Sequence, residues 1–128
     1  SMGAYEIFRS NKGINLTIFA SGSEVNLALN VCHKLAIENI YSKVISVPSQ
    51  ELFEQQYSEY KDEILNETDF AITIEAGSTS SWHKFIRKKG LNFGIDEFGK
   101  SAPFKEIYKY FGLTVENISK KTKDLIKN

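Results

Sequence analysis

The sequence predicts an α/β domain of three layers, α/β/α, around a five-stranded, mostly parallel (mixed) sheet whose first strand runs antiparallel. Three observations carry this. An alternating apolar segment, Asn15-Leu-Thr-Ile-Phe-Ala20, runs directly into Ser21-Gly-Ser-Glu24 and then into a pattern with Val25, Ala28, Leu29, Cys32, Leu35 and Ala36 on one helical face. Further short apolar runs alternate with helical patterns along the rest of the chain, and such alternation implies parallel strands covered on both faces. The turn signal Asn11-Lys-Gly13 separates the first run from the second, so the first strand returns antiparallel to its neighbour.

Taken in order, Tyr5-Glu-Ile-Phe-Arg9 is the first strand, residues 14–20 the second and residues 23–38 the first helix. Lys43-Val-Ile-Ser-Val47 is a continuous apolar strand stopped by Pro48, and Ser49 is placed to cap a short helix through Glu51, Leu52 and Phe53. Residues 57–65 are charged and read as surface helix or loop. Phe70-Ala-Ile-Thr-Ile74 is the clearest central strand, ending in Glu75-Ala-Gly77. Trp82, Phe85 and Ile86 follow at helical spacing, and residues 91–95 form the last strand. Phe104, Ile107, Tyr108 and Phe111 make an apolar stripe ended by Gly112. Thr114 then caps a helix with Val115, Ile118, Thr122, Leu125 and Ile126 inward.

Composition narrows the function. The 128 residues suit one domain, and 41% hydrophobic with 25% charged residues is ordinary for a globular protein. Sixteen basic residues balance sixteen acidic ones, so no net field steers nucleic acid; Arg87-Lys-Lys89 reads as solvated surface. The single cysteine, Cys32, excludes an intrachain disulfide and reads as a buried, inert thiol. No apolar run approaches the roughly 18 residues of a membrane span, and the chain reads as cytoplasmic. Ser1-Met2 before Gly3-Ala4 reads as a cloning remnant, which leaves residues 3–128 as a single domain of a longer parent.

The candidate chemistry is sparse. Gly94-Ile-Asp-Glu-Phe-Gly-Lys-Ser101 fits the P-loop pattern letter for letter, but Asp96 and Glu97 place carboxylates where a polyphosphate would sit and Pro103 interrupts the following helix. A loop leading to a proline-started helix is the preferred reading. Ser78, Ser80, Ser81, His83 and Glu75 invite a hydrolase triad, yet there is no Gly-x-Ser-x-Gly turn. His33 falls on the polar side of its helix, and two scattered histidines with one cysteine make no metal set. Ser21, Gly22, Ser23 and Glu24 form the candidate anion or regulatory site, because free N–H groups gather at a helix start. The competing reading makes Ser23 an N-cap and Glu24 a complement to the helix dipole. Glu75 stands at the carboxyl end of a central strand, the edge where α/β folds bind ligands. Tyr57, Trp82 and Phe85 lie outside the core stripes and are expected on an apolar surface patch.

Several segments occur in a fixed order: Gly3-x-Tyr5; Ala20-Ser-Gly-Ser-Glu24; Val47-Pro-Ser49 with Leu52-Phe53; Glu75-Ala-Gly-Ser78 with Trp82-His-Lys84; Phe98-Gly-x-Ser-Ala-Pro103; and Tyr108-x-x-Phe-Gly-Leu-Thr-Val-Glu-Asn117. Together they resemble the C-terminal domain of transketolase over nearly the whole chain. Gly-Leu-Thr-Val-Glu-Asn and Ser-Gly-Ser-Glu favour that family over deoxyxylulose phosphate synthase or dehydrogenase β-subunits, which share the fold. Lys100 falls at a variable position of the family motif, so the P-loop match is incidental. The resemblance implies a parent enzyme that moves a two-carbon ketol unit between sugar phosphates in the pentose phosphate pathway, using thiamine diphosphate and magnesium. It implies partners in the preceding domains of the same chain and in the second subunit of a homodimer. It places the catalytic, cofactor-binding and metal residues in those preceding domains, so none is carried over to this chain. The domain itself is expected to serve assembly or regulation and to be inactive alone.

Overall fold

The computed structural model describes residues 2–96 and 104–128, with only the helical backbone described for residues 104 and 105. Five strands form one sheet in the order β1-β3-β2-β4-β5: β1 (Tyr5–Arg9), β2 (Leu16–Ala20), β3 (Ser42–Ser46), β4 (Phe70–Ile74) and β5 (Lys89–Phe93). Strands β2 to β5 are mutually parallel and β1 is antiparallel. The expected direction of β1 holds, but its neighbour is β3 rather than β2. The reason is the long crossover: β2 feeds α1 (Val25–Ile37), which returns the chain to β3 and leaves β3's outer edge for β1.

The two faces carry separate cores. Leu16, Ile18, Ala20, Val44, Ile72 and Ile74 pack under α1 and α5 (Val115–Lys127), meeting Ala28, Val31, Leu35 and Ile118. On the other face Phe19, Ile45 and Ala71 meet Phe53 of α2 (Gln50–Glu54), Leu65 of α3 (Ser58–Leu65), and Trp82 and Phe85. The alternation read in this segment does not mark an exposed face: β2 is covered on both sides, and all five of its residues, Thr17 included, are buried.

Trp82 and Phe85 correct the expectation of a surface patch. They are 3% and 1% exposed, and Phe85 packs on Phe19, Phe53 and Trp82 with ring centroids 5.0, 5.6 and 5.1 Å apart. Their segment is a 3-10 turn, Ser80–Phe85, rather than an α-helix. A three-residue period puts residues 82 and 85 on one face just as well, so the spacing alone could not separate the two. Tyr57 is exposed as expected. The last strand lies two residues earlier than expected. A Cβ on Gly90 would meet the Ala71 carbonyl oxygen, so this glycine permits the close approach of β5 to β4.

Helix ends follow their residues closely. Ser49 Oγ accepts the Leu52 N–H and Thr114 Oγ1 accepts the Asn117 N–H, both at 3.1 Å. Helix α1 ends on Asn39 at φ 61°. There the Asn39 and Ile40 N–H groups reach back to the carbonyls of Ala36 and Leu35, both at 3.0 Å. Gly112, at φ 74°, closes α4 (Phe104–Tyr110) in the same way.

Candidate functional site

Strands β3 and β4 flank β2 on opposite sides, so the chain changes direction at the carboxyl end of β2. Loops that diverge at such a point open the crevice where parallel α/β sheets hold ligands. The Ser21 N–H donates to the Ile74 carbonyl at 3.1 Å, extending the ladder and setting residues 21–24 beside Glu75. The four candidate residues therefore meet at the expected edge, in a 3-10 turn (Gly22–Glu24) that opens α1.

Their individual roles differ from the expectation. Ser23 is not the N-cap: the turn shifts the first α-helical residue to Val25, and neither the turn nor α1 has a side-chain cap. The Ser23 hydroxyl instead donates to the Glu24 carboxylate at 2.8 Å. Glu24 is only 3% exposed and receives a second hydrogen bond, 2.9 Å, from the Tyr108 hydroxyl on α4. Burial, first, and then this bond and the charges of Glu24 and Glu75 push the Tyr108 hydroxyl above the ordinary tyrosine range. The Ser21 hydroxyl oxygen is enclosed and makes no hydrogen bond among the described residues. The Glu75 carboxylate lies where a Cβ on Gly77 would be 3.1 Å from its Oε1.

The helix start thus already holds an anion, the carboxylate of Glu24, favoured by the positive end of the α1 dipole. Glu24 itself is buried, and Glu75 lies near enough for its charge to act on the same Tyr108 hydroxyl. This arrangement joins α4 to the start of α1 and opposes the approach of a phosphate.

The triad candidates do not converge. His83 Nδ1 sits 2.9 Å from Asn92 Nδ2, and Asn92 Oδ1 accepts from the Thr73 hydroxyl at 2.5 Å. Because Asn92 thereby presents its amide N–H to His83, the imidazole is an acceptor there, oriented by an amide rather than an acid. Ser78 and Ser80 bond each other through their hydroxyls at 3.0 Å, and Ser81 takes a bond from Gln50. Asp96, from the P-loop match, is held by the N–H and hydroxyl of Thr79 at 2.8 and 3.0 Å. The rest of that motif, from Glu97, and the Phe98-to-Pro103 segment lie outside the described residues. Cys32 is buried, with the Ser42 hydroxyl donating to its Sγ at 2.9 Å. Burial raises its thiol, the opposite of what a reactive cysteine requires. His33 is exposed and stacks edge-on against Phe8.

Sequence reasoning missed two polar partners. Tyr108 reads as one more residue of an apolar stripe, although a tyrosine turned inward needs a partner for its hydroxyl. Lys43 reads as the start of an apolar strand, yet it is a buried ammonium 2.6 Å from Glu67 and 3.3 Å from the Ile64 carbonyl. Glu67 also takes two bonds from Arg9, at 2.7 and 2.9 Å, and the two cations hold it down at about 2. This network sits at the amino end of the parallel strands, away from the crevice. A groove of about 440 Å³ between α1 and α5 is rimmed by Lys34, Ile37, Glu38, Ser119 and Lys120. Two of the lysines there are already paired, Lys123 with Glu38 at 3.2 Å and Lys120 with Asp124 at 3.0 Å.

Comparison with known proteins agrees with this architecture. Residues 3–114 match the family model of the transketolase-like TK C-terminal domain. The transketolase of Halalkalibacterium halodurans is 40% identical over 129 residues, aligned to all of this chain but 19% of its own length. That of Bacillus subtilis is 41% identical over 126 residues, covering 97% of this chain and 19% of the relative. The solved transketolase from Leishmania mexicana superposes with a TM-score of 0.85 at 35% identity, covering 98% of this chain and 18% of that one. The chain spans about a fifth of the length of the relatives it matches, 19% in the first of them. It belongs to the transketolase C-terminal domain family.

Proposed function

We propose that this chain is the non-catalytic C-terminal domain of a longer transketolase. In this reading the parent transfers a two-carbon ketol unit between sugar phosphates in the cytoplasm, as a homodimer. The observation that carries the reading is the family match over residues 3–114 in a chain that covers 19% of a full-length relative. The domain's part is structural: a rigid three-layer body that packs against the preceding domains.

The parent's thiamine diphosphate and magnesium are not assigned to this domain. The residues at this edge do not suit a diphosphate, because the Glu24 carboxylate and the nearby Glu75 put negative charge there already. Among the described residues no three metal-ligating side chains of His, Cys, Asp or Glu form a cluster. The weaker reading is a small-anion site at Ser21, Gly22, Ser23 and Glu24. It is favoured by the enclosed Ser21 hydroxyl, which makes no hydrogen bond among the described residues, and opposed by the buried Glu24 beside it.

The deciding experiment is a ketol-transfer assay with thiamine diphosphate and magnesium, run on the full-length gene product and on this 128-residue chain. Turnover by the full-length protein alone is expected. Turnover by the short chain, or none by the long one, would overturn the proposal.

A further inference from the structure

We propose that the groove between α1 and α5 is a binding site for a free apolar α-amino acid. The site belongs to this chain's own surface and does not depend on which reaction the parent performs.

The two helices run in the same direction. Lys123 pairs with the Glu38 carboxylate at 3.2 Å and the Lys127 ammonium donates to the Glu38 carbonyl at 3.0 Å, so α1 and α5 end side by side. Counting back along each helix at about 1.5 Å per residue, Lys34 stands level with Ser119 and Lys120, and Glu116 lies one turn further back. Lys34 and Ile37 share one face of α1, and Glu116, Ser119, Lys120 and Lys123 share one face of α5. The groove between these faces holds about 440 Å³, within the roughly 300–1,000 Å³ of small-molecule sites.

Its walls carry groups that the fold leaves unanswered. Lys34 and Glu116 are exposed, and neither side chain makes a hydrogen bond or ion pair among the described residues. Lys120 is held there only by Asp124, one turn along the same helix, in a pair too exposed to fix it firmly. Ile37 is 82% exposed and forms the apolar wall at one end. Ser119 lies in the floor at 4% exposed, and its hydroxyl has no partner among the described residues. A hydroxyl so enclosed is destabilising unless something bonds it, and a ligand oxygen at the floor supplies the missing acceptor.

Along the groove these groups follow in the order carboxylate, ammonium with hydroxyl, apolar side chain. An amino acid laid against them matches each in turn. Its ammonium meets Glu116, its carboxylate lies between Lys34 and Lys120 and accepts from Ser119, and its side chain covers Ile37. A carboxylate without the ammonium would face Glu116, and an amine without the carboxylate would face two lysines. The pair of Glu38 with Lys123 closes the far end and is already matched.

The test is saturation-transfer NMR on the full-length gene product. It is titrated with L-leucine, with isocaproate, which lacks the ammonium, and with leucinamide, which lacks the carboxylate. Saturable L-leucine binding with a Kd of about 1 mM or tighter is expected. Each analogue should bind at least about tenfold more weakly, the effect of losing one charged hydrogen-bonding group. Lys34→Met and Glu116→Gln, both at exposed positions that leave the packing intact, should each weaken L-leucine by about tenfold. No saturable signal up to about 20 mM would overturn the proposal. So would isocaproate binding as well as L-leucine, which would make the groove a site for plain carboxylates. Binding that both variants leave unchanged would also overturn it, by placing the amino acid elsewhere on the protein.

Discussion

Replacing Tyr108 with phenylalanine removes one oxygen and leaves the ring in place, so the change removes the hydrogen bond to Glu24 without emptying the space the ring fills. That carboxylate is 3% exposed, and after the substitution its remaining partner among the described residues is the Ser23 hydroxyl. A hydrogen bond to a charged group contributes about 1.5–3 kcal/mol, and the loss falls at the upper part of that range when the charge stays buried. We expect Tyr108→Phe to lower unfolding stability by about 2 kcal/mol, or roughly 6–10 °C in Tm for a domain of this size. Chemical denaturation should show the drop in the midpoint with an unchanged slope. The phenol also carries a pH signature. Its folded-state value is raised above the ordinary tyrosine value of about 10. The stability it supplies is therefore complete below about pH 10 and declines as pH rises further, where the unfolded chain releases a proton that the folded chain retains. An ultraviolet titration of the six tyrosines should show one late ionisation that vanishes in Tyr108→Phe. A variant within about 0.5 kcal/mol of the parent, the scatter of ordinary surface substitutions, would show that the buried carboxylate does not depend on this bond.

At the opposite edge of the sheet, Glu67→Ala leaves the buried Lys43 ammonium with the Ile64 carbonyl at 3.3 Å. Breaking a fully buried pair costs about 3–5 kcal/mol; with Glu67 itself 34% exposed, about 2 kcal/mol is expected in denaturant unfolding. Glu67 is held at about 2, so its stabilisation is present above the ordinary carboxylate range and fades between about pH 4.5 and pH 2. The Glu67→Gln variant should lose that part of the acid transition. In the second core, Phe85→Ala empties the centre of the Phe19–Phe53–Trp82 cluster and should cost about 3–5 kcal/mol, read by thermal unfolding.

Much of the fold was legible because the signals were local. The caps at Ser49 and Thr114 and the left-handed stop at Gly112 each depend on a few neighbouring residues, and all three are formed. The partner of β1 was not legible, because it depends on where α1 returns the chain. Trp82 and Phe85 looked superficial because they lie outside the clearest apolar stripes, although they follow at helical spacing. Their burial follows from the face of the sheet that carries Phe19, where α2 and α3 leave area to be covered by another segment. The position of the candidate site was legible from Ser21-Gly-Ser-Glu24 following a strand, but its contents were not. Glu24 meets Tyr108 across 84 residues of sequence, and no periodicity links a helix start to a distant tyrosine.

The contents of that edge decide what it can hold. In a parallel sheet the crevice at the switch point is the place left open by diverging loops, and a ligand normally supplies what the helix N-terminus lacks. Here the chain supplies it: the Glu24 carboxylate takes the place of an external anion and Tyr108 closes over it from α4. That hydrogen bond ties α4 to the turn that opens α1. Along that same edge, toward the other face of the sheet, Gly3 is laid on α2 beside Leu52. The charged pole, with Arg9, Lys43 and Glu67, lies at the far end, where Arg9 and Glu67 keep contact with water. At the carboxyl edge a soluble anion would meet the Glu24 carboxylate, which the Ser23 and Tyr108 hydroxyls already satisfy, so its approach sets like charge against like.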